Sequence, residues 1–490
     1  MRFDPEKVTV VRSRAAADAV MALPPPQYGI ISPEVTVSPV YQSLFRLLLG
    51  MGLDAMRFGG DGWNPLGALL SPGERVVIKP NLVFHEHYKG GQLHGVVTDP
   101  RLIRATADLV FRAIGPEGHL TIGDAPLQSA DWNALCERTG LGQLPDFYAR
   151  RGLRCELRDF RTVESRSRKG LKLNLRRLQG DPEGYRAVNL GAASMHQSRE
   201  WQQFRVTNYD PTTMRTHHNA EQHEYLVSGS ILAATTVINI AKLKTHRKSG
   251  LTGPLKNLVG INGCKDWLPH HTKGSKSEGG DEYSSPATWK RLSTWLVERE
   301  ETAGAAAVKR SWNVLRRGLW LTGKKLTSDH TSEGSWYGND TLWRTILDLN
   351  RAALYADAEG NLRATPQRKY LVLVDALLAG EGEGPMAPSP VPMGVLLGGT
   401  NAAAVELSAT RLAGWPEEQL PAVSNAFEAH PFPLATFNKD RVDIRALEDD
   451  GATLQETPFK NLIRPLAPCA GWRGLFAKDW IDTKEIAYVR

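Results

Sequence analysis

The sequence predicts an α/β protein: a mostly parallel sheet with flanking helices, plus a helical and loop insertion. Three observations carry this. Short β-branched runs recur and each ends in a polar loop, one pair of such runs brackets a clear helical pattern, and glycine supplies 45 of 490 residues, which suits a turn-rich chain.

The first run is "RVVIKPNLVF" (75–84) and the next is "HLTIGDAP" (119–126). Between them "TDPRLIRATADLVFRAIG" reads as a helix: Asp99 caps it, Pro100 fits its first turn, and Leu102, Ile103, Leu109, Val110 and Ile114 recur at helical spacing. Strand, helix and strand in that order imply a βαβ crossover. "TTVINIAKLKTH" (235–246), "KYLVLVDALLAG" (369–380) and "MGVLLGGTNAAAVELSATRLAGW" (393–415) supply further buried strands, read as members of the same parallel sheet.

Loops at the carboxyl ends of such strands line the ligand crevice. The polar residues that follow each run are therefore expected to converge: Lys79 and Asn81, Asp124, Lys242, Lys244 and His246, then Asp375 and Glu381. Cations at a strand end beside glycine-rich turns suit an anionic ligand. In "LTGPLKNLVG" Thr252 is expected to cap a short helix, with Lys256 and Asn257 beside an oxyanion at its first amides.

At this point the residues carry a resemblance. "IKPNLV", "VVTDPRLIRAT", "IGDAP", "INIAKLKTH", "LTGPLKNLVG" and "LVDALLAGEGEGP", in that order over roughly residues 70–415, resemble the uncharacterised family catalogued as domain of unknown function 362. The resemblance implies an α/β fold with these blocks as its core. Members are often described as iron–sulfur proteins because some carry a ferredoxin-like module. This chain departs from them: Cys136, Cys155, Cys264 and Cys469 are scattered without a C-x-x-C pair, so no iron–sulfur cluster is expected. The expected organisation is an N-terminal segment (1–70), the α/β core (71–271 and 369–415), an inserted loop and amphipathic helix (272–368) and a C-terminal extension (416–490).

Carboxylates beside a phosphate-like group are how Mg²⁺ or Mn²⁺ is held, so Asp124, Asp375 and Glu381 are the expected ligands of a divalent metal. Near-paired histidines (His85, His87 and His94; His217, His218 and His223; His270 and His271) offer a second set of metal ligands, although none has a zinc-signature spacing. His246, His270 and Lys244 are the candidate catalytic groups, with Lys79, Asn81, Lys242, Thr252, Lys256 and Asn257 binding substrate. No Walker loop, dinucleotide fingerprint or G-x-S-x-G elbow occurs.

The function expected is an enzyme that binds an anionic small molecule or glycan intermediate and performs metal-assisted phosphoryl or acyl chemistry. The alternatives are Lys/His-mediated racemisation or epimerisation, and a non-catalytic binding protein. Net charge is +7, and the arginine- and lysine-rich stretch 150–186 reads as a β-hairpin with a solvated basic face, so nucleic acid is not an expected partner. No long apolar run and no signal-like start occur, and a cytoplasmic location is expected. "TKGSKSEGGDEYSS" (272–285) reads as a lid loop. Residues 305–325 alternate tryptophan and leucine with lysine and arginine, the pattern of a basic amphipathic helix that packs on the core or contacts a membrane surface or protein.

Overall fold

A computed structural model describes residues 4–21, 38–168, 171–206, 211–303, 306–326 and 331–476. Ten strands build the main sheet: β1 (Lys7–Ser13), β2 (Arg75–Pro80), β3 (His119–Asp124), β4 (Arg154–Asp159), β5 (Thr236–His246), β6 (Gly250–Thr252), β7 (Lys369–Glu383), β8 (Ala387–Gly399), β9 (Asp443–Asp449) and β10 (Leu454–Glu456). Their order is β10-β9-β1-β8-β7-β5-β2-β3-β4, with β6 paired to β5. The run β7-β5-β2-β3-β4 is parallel throughout. Strands from 1–70 and from 416–490 thus share one sheet with the central blocks.

One local feature differs from the sequence reading. Strand β8 runs antiparallel to β7, not parallel. Only residues 384–386 separate the two, far too few for a crossover, so they close as a hairpin. The "EGEGP" stretch is consequently not a loop at the strand's end: Glu381 and Glu383 continue β7 and pair with Ser389 and Ala387.

Both faces of the sheet are covered, as near-continuous apolar strands require. On one face Ile78, Ile122, Ile238, Ile240 and Leu373 pack with Leu102, Ile103 and Val110 of helix α1 (Pro100–Ile114). Asp99 caps α1 as expected, accepting from the Arg101 amide at 2.8 Å, and Pro100 occupies its first turn. On the other face Val77, Val237, Val372 and Val374 pack with Leu255 of the four-residue helix α2 (Pro254–Asn257).

The insertion contributes helices α3 (Thr288–Thr302), α4 (Ala306–Leu326) and α5 (Leu342–Tyr355). Leu342, Ile346 and Leu349 of α5 join the second core face, as do Val405 and Leu407 of α6 (Ala402–Leu412). The 272–285 stretch is pinned and not a free lid. Asp281 accepts from the Thr272 and Asp340 amides and from the Thr341 hydroxyl at 2.5–2.8 Å. The basic 150–186 stretch contains the expected hairpin, Val163–Arg168 against Leu171–Arg177, with Lys169 and Gly170 outside the described residues.

Candidate functional site

The carboxyl edge of β7, β5, β2 and β3 carries two buried ion pairs, one on each face of the sheet. Alternation along a strand sends consecutive side chains to opposite faces, which divides the lysines. Lys79 of β2 meets Asp124 at 2.8 Å, and its ammonium also donates to the Pro80 carbonyl at 2.6 Å. Lys242 of β5 meets Asp375 of β7 at 2.9 Å, and Asp375 further accepts the Asp99 amide at 2.8 Å. All four side chains are buried. Burial pushes the Lys79 pKa down, against the pull of Asp124, and pushes the Asp375 carboxyl up, against Lys242.

Asn81 and Asn257 knit the two faces together. The Asn81 amide donates to Asn257 at 3.2 Å and its carbonyl oxygen accepts from Lys244 at 3.0 Å. Asn257 in turn donates to Asn239 at 2.8 Å and to the Lys79 carbonyl at 3.0 Å.

Beside this frame lie three lysines that pair with no carboxylate among the described residues. Lys244 is fully buried, and its acceptors are the Asn81 oxygen and the Val96 carbonyl. Lys256 is half-buried and has no hydrogen-bond or ion-pair partner there, while Lys265 reaches only the Val259 carbonyl at 3.4 Å. Burial pushes all three down, reinforced by Lys242 for Lys244 and by Lys79 for Lys256 and opposed by Asp124 for Lys265: Lys244 well below the usual lysine range, Lys256 to about 8 and Lys265 to about 7. Such a set is biased towards neutral amines, and an anion placed beside it would favour their protonated forms.

Two histidines join it with opposite tautomers. The Lys248 and Ser249 amides donate to His246 Nδ1 at 3.1 and 3.2 Å, so a neutral His246 carries its proton on Nε2. His270 Nδ1 lies 2.7 Å from the Leu268 carbonyl and must donate, which leaves Nε2 as a lone pair. Burial holds both rings neutral, reinforced by Lys256 for His246 and by Lys248 for His270.

The turn that bears His270 is fixed by side chains on three of its carbonyls. His218 Nε2 donates to Trp267 at 2.7 Å, the Thr345 hydroxyl donates to Pro269 at 2.7 Å, and Asn339 donates to His270 itself at 2.9 Å. His196 lies 3.0 Å behind the Thr345 oxygen, which receives its Nε2 proton. None of these supports was expected from the sequence.

Thr252 does not cap α2. It lies in β6 with its hydroxyl buried and unpartnered, and the cap position is Gly253. Glu406 does that work, accepting the Leu255 amide at 2.7 Å, so no free amide awaits an oxyanion at that position. Burial pushes Glu406 up to about 7, with the Leu255 amide and Lys256 opposing.

The three carboxylates expected to share a divalent metal are not brought together. Strands β5 and β2 stand between Asp375 and Asp124, a separation of three strand spacings or about 14 Å. Glu381 lies six residues beyond Asp375 on β7, about 20 Å along the strand. Each is otherwise engaged: Asp124 by Lys79 and the Leu82 amide, Asp375 by Lys242, and Glu381 by the Ala467 amide at 2.6 Å. Among the described residues no three His, Cys, Asp or Glu side chains are grouped to hold a metal ion. The donor set for Mg²⁺ or Mn²⁺ is therefore not one this trio assembles.

The sheet and its edge define an α/β protein with a buried, lysine-rich cluster that links both faces of the sheet. Residues 184–411 match the model of the family described as Domain of unknown function (DUF362), and in that region the chain is similar to this family. The "IKPNLV", "VVTDPRLIRAT" and "IGDAP" blocks fall outside the matched residues. No curated protein matches the sequence. A crystal structure of a protein from Thermotoga maritima is similar at 12% identity with a TM-score of 0.29, over 66% of this chain and 52% of that one. The chain thus spans about half the length of that protein.

Proposed function

We infer that the protein is an enzyme that binds a small molecule bearing a carboxylate and exchanges the proton on the carbon next to it, the chemistry of a racemase or epimerase. The observation that carries this reading is the electrostatic influence of Lys256 and Lys265, which lack carboxylate partners among the described residues, on His270, whose Nε2 is an available lone pair. Proton loss beside a carboxylate places a second negative charge on its oxygens, and lysines whose protonation the bound carboxylate favours lower the barrier. His270 accepts the proton and Lys256, held near neutrality at about 8, returns one from the other side. His246 Nε2–H donates a hydrogen bond to the substrate oxygen. The dispersed carboxylates give metal-assisted phosphoryl chemistry less support than this.

The test is wash-in of solvent deuterium. The protein is incubated in D₂O with a panel of chiral 2-hydroxy and 2-amino acids, and mass gain is followed for each enantiomer. Exchange of one enantiomer should survive in His270→Gln and of the other in Lys256→Met. A protein that binds such acids yet incorporates no deuterium is a binding protein, and the enzymatic reading falls.

A further inference from the structure

Helices α3 and α4 form an antiparallel pair seated on the body through α3, whose Thr294 hydroxyl donates to Glu282 at 2.5 Å. None of their described residues belongs to the sheet's two core clusters. Their shared inner face is small and specific: Trp295 meets Trp312 edge-on at 5.6 Å, and Glu300 accepts from Asn313 at 2.7 Å and Arg316 at 3.1 Å. Helix α3 ties the pair to the body, because Glu298 binds Arg205 at 2.7 Å and Lys273 at 2.9 Å. Among the described residues, no apolar side chain of the amphipathic helix joins the main core.

The outer face is apolar where the body's surface is not. Ten large hydrophobic residues are exposed among the described residues, and five of them (Leu292, Trp295, Val308, Val314 and Leu315) lie on this pair. Val314 and Leu315 are 62% and 56% exposed. Along α4 the exposed positions Val308, Ser311, Leu315, Gly318 and Thr322 recur every three or four residues, so they form one stripe. The Arg299 guanidinium lies 5.2 Å over the Trp295 ring at its margin.

Charge selects the occupant. Residues 288–326 hold nine lysines and arginines against three glutamates; Glu298 and Glu300 are turned to inner partners, Lys290 is buried, and Arg291 and Arg316 pair with Glu278 and Glu300. Lys309, Arg310, Lys324 and Lys325 contribute by sequence, although their side chains lie outside the described residues. Scattered apolar side chains separated by serine, glycine and threonine, with tryptophan and arginine beside them, make a face that sinks shallowly into lipid headgroups. A stable protein interface has instead a contiguous apolar centre depleted of charge. No helix among the described residues is long and apolar enough to cross a membrane, so the contact is with a surface. We propose that the α3/α4 pair docks the protein peripherally on an anionic lipid surface, with Val314 and Leu315 inserted and the basic side chains against the headgroups.

Vesicle co-sedimentation of the full chain tests it, with phosphatidylcholine alone and in equal parts with phosphatidylglycerol. Binding should be at least tenfold stronger to the anionic vesicles and should be lost near 1 M salt, where screening acts beyond only about 3 Å. The doubly charged variant Val314→Glu/Leu315→Glu, altered only at exposed positions, should keep its melting temperature and lose binding at least tenfold. Equal binding by that variant, or no binding to anionic vesicles by the wild type, overturns the proposal. So does light scattering that finds a wild-type dimer dispersed by the variant, since a second copy then covers the face.

Discussion

Lys242 and Asp375 face one another across neighbouring parallel strands, ammonium to carboxylate at 2.9 Å, with neither side chain exposed to water. The pair is the hinge of the edge network: Asp375 also holds the Asp99 amide, and Asp99 caps α1 and binds Arg101 at 2.7 Å. Burial raises the Asp99 carboxyl, but Arg101 more than reverses this and keeps it ionised. One carboxylate thus couples the middle of β7 to the start of the crossover helix.

Removing one partner of such a pair strands the other charge in the core. Asp375→Asn should lower stability by about 3–5 kcal/mol, read as the urea midpoint at constant slope. The double change Lys242→Met/Asp375→Leu should cost clearly less, because neither charge then remains. Equal losses in the single and double variants would show that packing, not the stranded ammonium, sets the penalty.

The second ion pair depends on a glycine. A Cβ on Gly260 would sit 1.9 Å from Asp124 Oδ1 and 2.8 Å from Lys79 Nζ. Retreat is opposed because the Gly260 carbonyl accepts the Ala125 amide at 2.8 Å. Gly260→Ala should therefore cost about 1–3 kcal/mol through overpacking alone. Gly318→Ala serves as the contrast: its Cβ would meet nothing within 4 Å, and alanine in mid-helix should gain about 0.5–1 kcal/mol. Thermal melts of the two variants should move in opposite directions.

Much of this edge was legible in the residues. The β2 and β3 runs, the α1 cap at Asp99 and the placing of Lys79 near the end of β2 follow from local pattern, whereas Lys242 and Lys244, expected in a loop after the strand, lie within β5. What escaped was set by strand order and by distant chain. Nothing in "KYLVLVD" and "IGDAP" reveals that two strands separate Asp375 from Asp124. The short connection after "EGEGP" does signal a hairpin, since a parallel return needs a dozen residues or more. Thr252 was a reasonable cap, but Glu406, 151 residues later, takes the amide. The supports of His270 come from His218, Asn339 and Thr345, none of them a sequence neighbour. Lys265 had a readable signal: it sits between a glycine turn and the His270–His271 pair.

Glu406 and Lys256 give the edge an opposed pH dependence. The Glu406 carboxyl rises from 4.5 to about 7 on burial, so between those values the native state binds the proton more tightly than the unfolded chain. Stability therefore falls as pH rises through that window, and the penalty is complete above it. Glu406→Gln keeps an oxygen for the Leu255 amide and removes the charge. It should match the wild type below about pH 4.5 and exceed it above pH 8 by on the order of 3 kcal/mol. Lys256 behaves oppositely: its pKa falls from 10.5 to about 8, so its contribution to stability improves as pH rises from 8 towards 10.5. A bound anion reverses that shift, because it stabilises the ammonium. Carboxylate binding at pH 8 should then take up protons, seen as a calorimetric heat that differs between phosphate and Tris buffers, and affinity should fall as pH rises through 8. In Lys256→Met the buffer difference should shrink, with Lys265 supplying the remainder. A heat independent of buffer in the wild type would mean that the anion binds away from these lysines.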